Sequence, residues 1–568
     1  MSTPQDIFYD PGMVALILQS ESVSDAFFDH NPYIKFRKNL AGGYSIIYVQ
    51  EADVEKVINN IESYPINLYP LVLGLIGTPE LAAAGVLQVH RQPFLNLWGS
   101  GVLLGFIDTG IDYTQSSFRY EDGGSKIAYI WDQTIRSGTP PDGYPYGSEY
   151  STAQIDEALK SANPREVVPH TDTVGHGTFL ASIAGGRAQD GEYIGAAPDA
   201  EIIAVKLKRA RPLDYARFLI PTTQENAFSS DDFMLGVQYI LDKALAMRRP
   251  VAICISVGCN TGGHDGYATL AGYLARVAGT AGVAVCAGAG NEGQAGHHTY
   301  GKLAATGDTQ DIEFRASEHS EDILLSLWNY ASDRISVAVR SPTGEQVSRV
   351  PARSGTSYTS KLILERASVT VEYFFPIERS GAQLTRIKIL SATPGIWTIT
   401  VYGDSVLEGT FHAWLPMTGF IDPATVFLRP SPNYTVVTPA NGFGFITCGA
   451  YNSLDNSFAA FSSQGPSRLS SILPDLVAPG VDVGGVYPGD SPGVMSGTSV
   501  SASITTGACA LMLQWGIVEK NDTSMDSYRI RANLAAGCER DPNVEYPNNQ
   551  WGYGRLNLYN TFRALRPY

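Results

Sequence analysis

Val102-Leu103-Leu104-Gly105-Phe106-Ile107-Asp108-Thr109-Gly110 decides the reading of this chain, because an apolar run there ends abruptly on a carboxylate and a glycine turn. Such a run reads as a buried strand, and strand exits are where an open α/β sheet presents its side chains to a ligand. Alone, Asp108 is as readily an ordinary carboxylate at a strand end. Two further stretches alter its weight. Gly175-His176-Gly177-Thr178 sets an imidazole between glycines that permit close backbone approach, and the run Phe179 to Ala184 behind it predicts a helix with His176 on its first turn. Ser496-Gly497-Thr498-Ser499 precedes the small and apolar run Val500 to Trp515, suited to a buried helix. Ser499 then falls at a helix N-terminus, where free N–H groups and the helix dipole favour a developing oxyanion. A serine hydroxyl is a poor nucleophile until an imidazole takes its proton, and the imidazole needs a carboxylate to fix its tautomer. Asp108, His176 and Ser499 supply those three groups.

A fourth piece fits the same chemistry. Val283 to Cys286 reads as a buried strand running into Ala287-Gly288-Ala289-Gly290-Asn291-Glu292-Gly293, a loop that presents the Asn291 amide with little obstruction. An amide donor there can stabilise a tetrahedral oxyanion, whereas the same asparagine in isolation reads as a turn residue. Gly489-Asp490-Ser491-Pro492-Gly493 offers a competing nucleophile, because it matches the G-x-S-x-G elbow of α/β-hydrolases. That elbow needs an apolar strand before it and a helix after it. Pro488 and Pro492 break both flanks, so Ser491 is expected in a loop.

The order Asp, His, Ser, with these motifs around it, resembles the subtilisin-like serine proteases, or subtilases. Ile107-Asp108-Thr109-Gly110-Ile111-Asp112, Gly-His-Gly-Thr at 175–178, Ala-Gly-Asn-Glu-Gly at 289–293 and Ser-Gly-Thr-Ser at 496–499 carry the likeness, as do Phe461 to Pro466, Pro474 to Gly480 and Trp551 to Leu556. The resemblance implies a serine endopeptidase with Asp108, His176 and Ser499 as triad and Asn291 in the oxyanion hole. It further implies substrate binding by Ser256, Val257, Gly258, Ala289 and Gly290, with peptide added to a sheet edge. Two positions depart from the common pattern: Ser503 stands where many subtilases carry proline, and Phe179 follows Thr178 where histidine is commoner. These departures, with Ile130 to Thr134 and Leu513 to Gly516, resemble the clostridial Csp germination proteases and related gut-bacterial Csp-like proteases. That likeness implies a propeptide that is autoprocessed and retained at the active site, a protein zymogen as one substrate, and association with the spore or release from the cell. The other class of function open to such a chain is a catalytically silent subtilase-fold sensor or scaffold.

Along the chain the pattern divides into four parts. Residues 1–85 alternate strand-like and helix-like pieces (Val14 to Leu18, Ser22 to Phe28, Tyr44 to Gln50, Glu51 to Ile61, Leu71 to Ile76), a ferredoxin-like β-α-β-β-α-β pattern in the position of a subtilase propeptide. Autoprocessing is expected between Leu71 and Gly85, with Leu81-Ala82-Ala83-Ala84-Gly85 as one candidate. Residues 86–304 alternate apolar strands with helices, which predicts a subtilisin-like α/β fold with a parallel sheet between helices. Residues 305–428 turn β-rich with Gly and Pro punctuation, indicating an inserted sandwich or jelly roll, and 429–568 complete the catalytic part.

Composition narrows the partners. The 568 residues are 44% hydrophobic, enough for a sizeable core, and the net charge of -16 argues against nucleic acid or an anionic membrane surface as partner. No apolar stretch approaches the roughly 18 residues of a membrane span, and the start Met1 to Asp6 lacks a basic n-region, so cytoplasmic synthesis without a signal peptide is expected. The six dispersed cysteines read as reduced core thiols. His297 and His298 have too little spacing, and no acidic partner nearby, for a metal site. No metal or cofactor is expected.

Overall fold

A computed structural model describes residues 4–19, 27–28, 31–58, 69–75, 82–92, 94–187, 194–319 and 322–565. Its centre is an eight-stranded sheet with the order 476–479, 446–451, 283–288, 251–255, 103–108, 201–206, 127–132 and 148–151. Neighbours pair in parallel except at the last edge, where Ser148–Ser151 runs antiparallel to Ile127–Asp132. Strands buried on both faces have to be apolar throughout, and Leu103–Asp108, Val251–Ile255 and Val283–Gly288 are buried at every position. Alternate side chains feed two cores. Leu103, Ile107 and Ile253 pack with the Ser230–Met247 and Thr269–Ala278 helices, while Leu104, Phe106 and Cys254 pack with His176–Gly185 and Thr498–Leu513.

The helix that begins at Thr498 continues through a π-turn to Val518, and among the described residues it alone is long and apolar enough to cross a membrane. The expectation that no stretch approaches that length is therefore corrected. This helix is 89% buried inside the protein and serves as the central pillar of one core. All six cysteines are free and buried, with Cys286 Sγ 3.4 Å from Cys509 Sγ.

From His298 to Phe427 the chain forms two antiparallel sheets. The six-stranded one runs 298–302, 410–414, 322–329, 383–390, 367–374 and 357–362, and the five-stranded one 346–350, 334–340, 395–405, 309–316 and 426–427. Their facing side chains, among them Leu325, Leu327, Val337, Ile387 and Trp397, form a core separate from those of the parallel sheet. The first strand of this unit starts ahead of residue 305.

At the N-terminus, Met13–Gln19, Tyr44–Gln50 and Ile34–Leu40 form a three-stranded antiparallel sheet. Strand alternation buries both faces. Val14, Leu16, Leu18, Ile47 and Val49 pack over the Val54–Ile58 helix, whereas Ala15, Ile17, Ile46 and Tyr48 join the core of the parallel-sheet body. Tyr48 donates to Asp231 at 2.6 Å, and Phe8 stacks on Tyr146 with ring centres 4.3 Å apart. The helix expected at Ser22 to Phe28 and the far end of the one expected at Glu51 to Ile61 fall mostly outside the described residues. The expected last strand, observed at Val72–Leu75, leaves the small sheet and lies between Val257–Gly258 and Phe228–Ser229, antiparallel to both.

Candidate active site

Asp108 is the last residue of its strand and 1% exposed. Its carboxylate accepts from the Thr109 N–H (2.7 Å) and the Ser256 hydroxyl (2.5 Å), and His176 Nδ1 lies 2.9 Å from both of its oxygens. Burial pushes the Asp108 carboxyl upward, but the charge of His176 and the hydrogen bonds from His176, Ser256 and Thr109 outweigh it and hold the group below the ordinary carboxylate range. Across the imidazole, Nε2 lies 3.3 Å from Ser499 Oγ. The three expected groups are thus brought into one buried relay, with distances long enough to tighten once a substrate is bound.

Glycines permit the approach of the elements that carry these groups. A Cβ on Gly177 would stand 2.2 Å from the Gly110 carbonyl oxygen and 3.1 Å from Asp108 Cβ, so the histidine helix touches the aspartate loop backbone to backbone. Gly175 opens that helix with φ +85°. Its first N–H groups are taken by Asp172, whose carboxylate accepts from the Gly175 and Thr178 N–H groups at 2.8 and 2.9 Å and from the Thr178 hydroxyl at 2.7 Å. Sequence reasoning passed over Asp172, although an acidic residue just ahead of a helix start is a capping signal. It also passed over His170, which lies 2.6 Å from Asp132 through Nδ1 and accepts the Ile111 N–H through Nε2, bracing the loop behind Asp108. No spacing rule links His170 to Asp132; only the fold joins them.

Ser499 sits in the first turn of Thr498–Leu513, capped by Gly497 at φ 148°. Asn291 faces that turn. Its Oδ1 accepts from the Thr498 N–H (3.0 Å) and the Thr498 hydroxyl (3.3 Å), while Thr498 Oγ1 accepts the Gly290 N–H (2.9 Å). With its oxygen engaged, the amide has its NH2 group left for a ligand. Gly290, at φ +107°, leaves no room for a side chain against Val437, and buried Ala289 donates its N–H to the Cys448 carbonyl. Val257 and Gly258 pair with Leu75 and Gly74, so the expected substrate-binding edge holds a strand of the chain itself. Ser256 faces Asp108 through its side chain.

Other expectations resolve differently. Ser491 begins an exposed strand, Ser491–Met495, of the hairpin it forms with Val483–Tyr487; it is not in a loop, and a strand rather than a helix runs on from it. His297 does have an acidic partner: Nδ1 lies 2.7 Å from buried Glu292, which also accepts from Asn260 (3.0 Å) and the Thr418 N–H (3.0 Å). Glu292 therefore ties the asparagine loop to the sandwich. Ser503 donates to the Leu180 carbonyl at 2.7 Å, linking the serine helix to the histidine helix, and Phe179 packs on Tyr487 with ring centres 4.6 Å apart, seating the hairpin. Both departures from the common subtilase pattern thus have local packing reasons.

A buried serine, imidazole and carboxylate at the carboxyl end of a central strand of a parallel α/β sheet is the architecture of a serine hydrolase. The subtilase family model matches residues 99–317 and 428–554, more than half of the chain, and the chain belongs to the subtilase family of serine peptidases. It is similar in structure to the CspB protease of Clostridium perfringens, with 31% identity and a TM-score of 0.76 over 85% of this chain and 99% of that one. It is also 28% identical to Bacillopeptidase F of Bacillus subtilis (strain 168) over 141 residues, 25% of this chain and 10% of that protein's length, so it spans only a small part of that relative.

Proposed function

We propose that the protein is an endopeptidase that cuts peptide bonds through Ser499, with His176 as base and then acid, Asp108 as its orienting carboxylate, and Asn291 with the Ser499 N–H as oxyanion donors. The observation that carries this reading is the continuous contact from Asp108 through His176 to Ser499 Oγ, next to an amide whose oxygen is already tied down. Ser499 attacks the carbonyl carbon, its proton passes to His176 Nε2, and collapse of the tetrahedral intermediate returns that proton to the leaving amine. Water then repeats the sequence on the acyl-enzyme. A silent scaffold would not need the relay intact, so the catalytic reading is preferred.

The same reading extends to self-processing. Val72–Leu75 runs as the middle strand between Val257–Gly258 and Phe228–Ser229, which is how an extended peptide substrate joins a sheet edge. Because Leu75, the last described residue of the strand, pairs with Val257, one residue short of the Ser256 that touches Asp108, the cut is assigned to the Ile76–Gly77 bond. The alternative at Leu81 to Gly85 is disfavoured because Ala84 and Val86 are fully buried in the core with Leu556 and Leu558. The N-terminal unit, sharing a core with the body, stays bound after the cut. Intact-mass analysis of wild-type and Ser499→Ala protein tests this: wild type should give a fragment beginning at Gly77, and the variant should stay whole. A variant processed like wild type would overturn it.

A further inference from the structure

The outer face of the six-stranded sheet of the sandwich is unusual. Along Asp322–Asn329, Ile323, Leu325 and Leu327 point into the sandwich core, so Leu324, Ser326 and Trp328 occupy the other face. On the neighbouring strand Leu384 and Arg386 alternate in the same way with Ile387 and Ile389 inside. An outer sheet face is ordinarily polar and solvated. Here Leu324, Trp328 and Leu384 are 5%, 4% and 3% exposed, and Leu324 belongs to the core of the parallel-sheet body.

These side chains wall a cavity whose opposite side is the chain's own segment ahead of the Val72–Leu75 strand. Leu71 is pinned there through its N–H to Ser230 Oγ and its carbonyl from the Ser230 N–H, both at 2.7 Å. Tyr69 lies beneath the Arg217 guanidinium, 3.7 Å from its ring centre. Between them the cavity is bounded by the loop after Val257–Gly258, including Thr261 and Asp265, and Asp265 is neutralised by its ion pair with buried Arg468 at 2.8 Å. The surface is thus mainly apolar, carries the Arg217 and Arg386 guanidiniums, and is continuous with the peptide-binding edge.

We propose that the inserted sandwich is part of the substrate cleft: its outer sheet face forms a subsite for the residues six to eight positions upstream of the scissile bond, and it takes apolar or aromatic side chains there. The chain's own Tyr69 and Leu71 face the sheet across this cavity, standing in for a protein substrate that carries a long extended apolar segment before the cut. Apolar contact with Leu324, Trp328 and Leu384 selects the sixth position, and the Arg217 guanidinium favours an aromatic ring at the eighth. This inference rests on Ser499 as nucleophile and on Ile76 as the residue before the cut.

The test compares two chromogenic peptides, Leu-Gly-Leu-Ile and Tyr-Pro-Leu-Val-Leu-Gly-Leu-Ile, on processed wild-type protein and on Trp328→Ala/Leu384→Ala. The longer peptide should have a kcat/KM about tenfold higher on wild type, and the variant should lose that advantage while cleaving the short peptide within about twofold of wild type. An equal advantage in both proteins, or none in wild type, overturns the subsite. A second measurement works even where the retained segment shields the cleft: fluorophosphonate labelling of Ser499 should speed up about tenfold in Leu71→Asp and in Trp328→Ala, with no further gain in the combination, because both act on the two walls of one cavity and loosen the same seating of the segment. Unchanged or fully additive rates overturn the subsite, whereas failure of wild type to label at all refutes the nucleophile instead.

Discussion

Replacing Asn291 tests the oxyanion assignment by a graded series. Among the described residues the amide is held by Thr498, through its N–H at 3.0 Å and its hydroxyl at 3.3 Å, and both bonds end on Oδ1. Asn291→Ala removes the free NH2 donor without touching a triad group, and loss of one such donor costs about 2.7–4 kcal/mol of transition-state stabilisation, or 10²–10³ in kcat. The loss should fall on kcat with KM nearly unchanged, because the donor meets charge that exists only in the transition state. Asn291→Asp keeps the acceptor for Thr498 but aims a second negative oxygen at the oxyanion, so it should be worse than alanine. Thr498→Val removes one of the two tethers and the acceptor for the Gly290 N–H, leaving the donor present but loosely aimed; a loss of about tenfold is expected, the worth of one hydrogen bond. Steady-state hydrolysis of a peptide gives the order, and fluorophosphonate labelling checks that Ser499 remains reactive. Full kcat in Asn291→Ala, or a loss confined to KM, refutes the assignment.

Three further outcomes follow from the geometry. Gly177→Ala places a Cβ 2.2 Å from the Gly110 carbonyl, so it should push His176 off Asp108 and cost more than about 10² in kcat, read against an unchanged far-UV spectrum. Burial lowers His264 to about 4 and His298 to about 3, and holds His412 well below the ordinary histidine range. The unfolded chain binds protons at these sites below about pH 6.5 while the folded one does not, so stability should fall as pH drops from about 6.5 towards 4, by up to about 1.4 kcal/mol per pH unit for each histidine. Urea melts at pH 7, 6 and 5 check the slope; a flat profile refutes the burial of neutral imidazoles. Burial likewise raises the thiols of Cys254, Cys259, Cys286, Cys448 and Cys538, so a thiol reagent should label almost nothing in the native protein at pH 8 and all six cysteines after unfolding.

How much was legible in the sequence varied with how strongly a segment's hydrophobicity reports its place. The buried parallel strands and their helices read almost to the residue: Ala200 to Leu207 is Glu201–Lys206 and Asp232 to Met247 is Ser230–Met247. In the sandwich, Ile323 to Trp328 and Ile396 to Tyr402 were visible because their inward residues are large and apolar. Ser357–Leu362 was not, since five of its six residues are exposed or half-buried and only Leu362 marks the strand. Strand membership was illegible for Val72–Leu75, where the same apolar letters suit the small N-terminal sheet and the cleft equally.

By itself the sequence determined the chemistry: which residues carry the hydroxyl, imidazole, carboxylate and amide, in which order, and on what kind of strand exit or helix start, because those depend on local pattern and residue type. Tertiary structure alone decided which distant groups support them. Ser256 on Asp108, His170 on Asp132, Thr418 on Glu292 and the outer sandwich face against Tyr69 and Leu71 join residues 148 positions apart in the case of Ser256 and Asp108 and farther still across the sandwich face. No local periodicity records such pairings, since burial forces each polar group to find a partner wherever the packed chain brings one within reach.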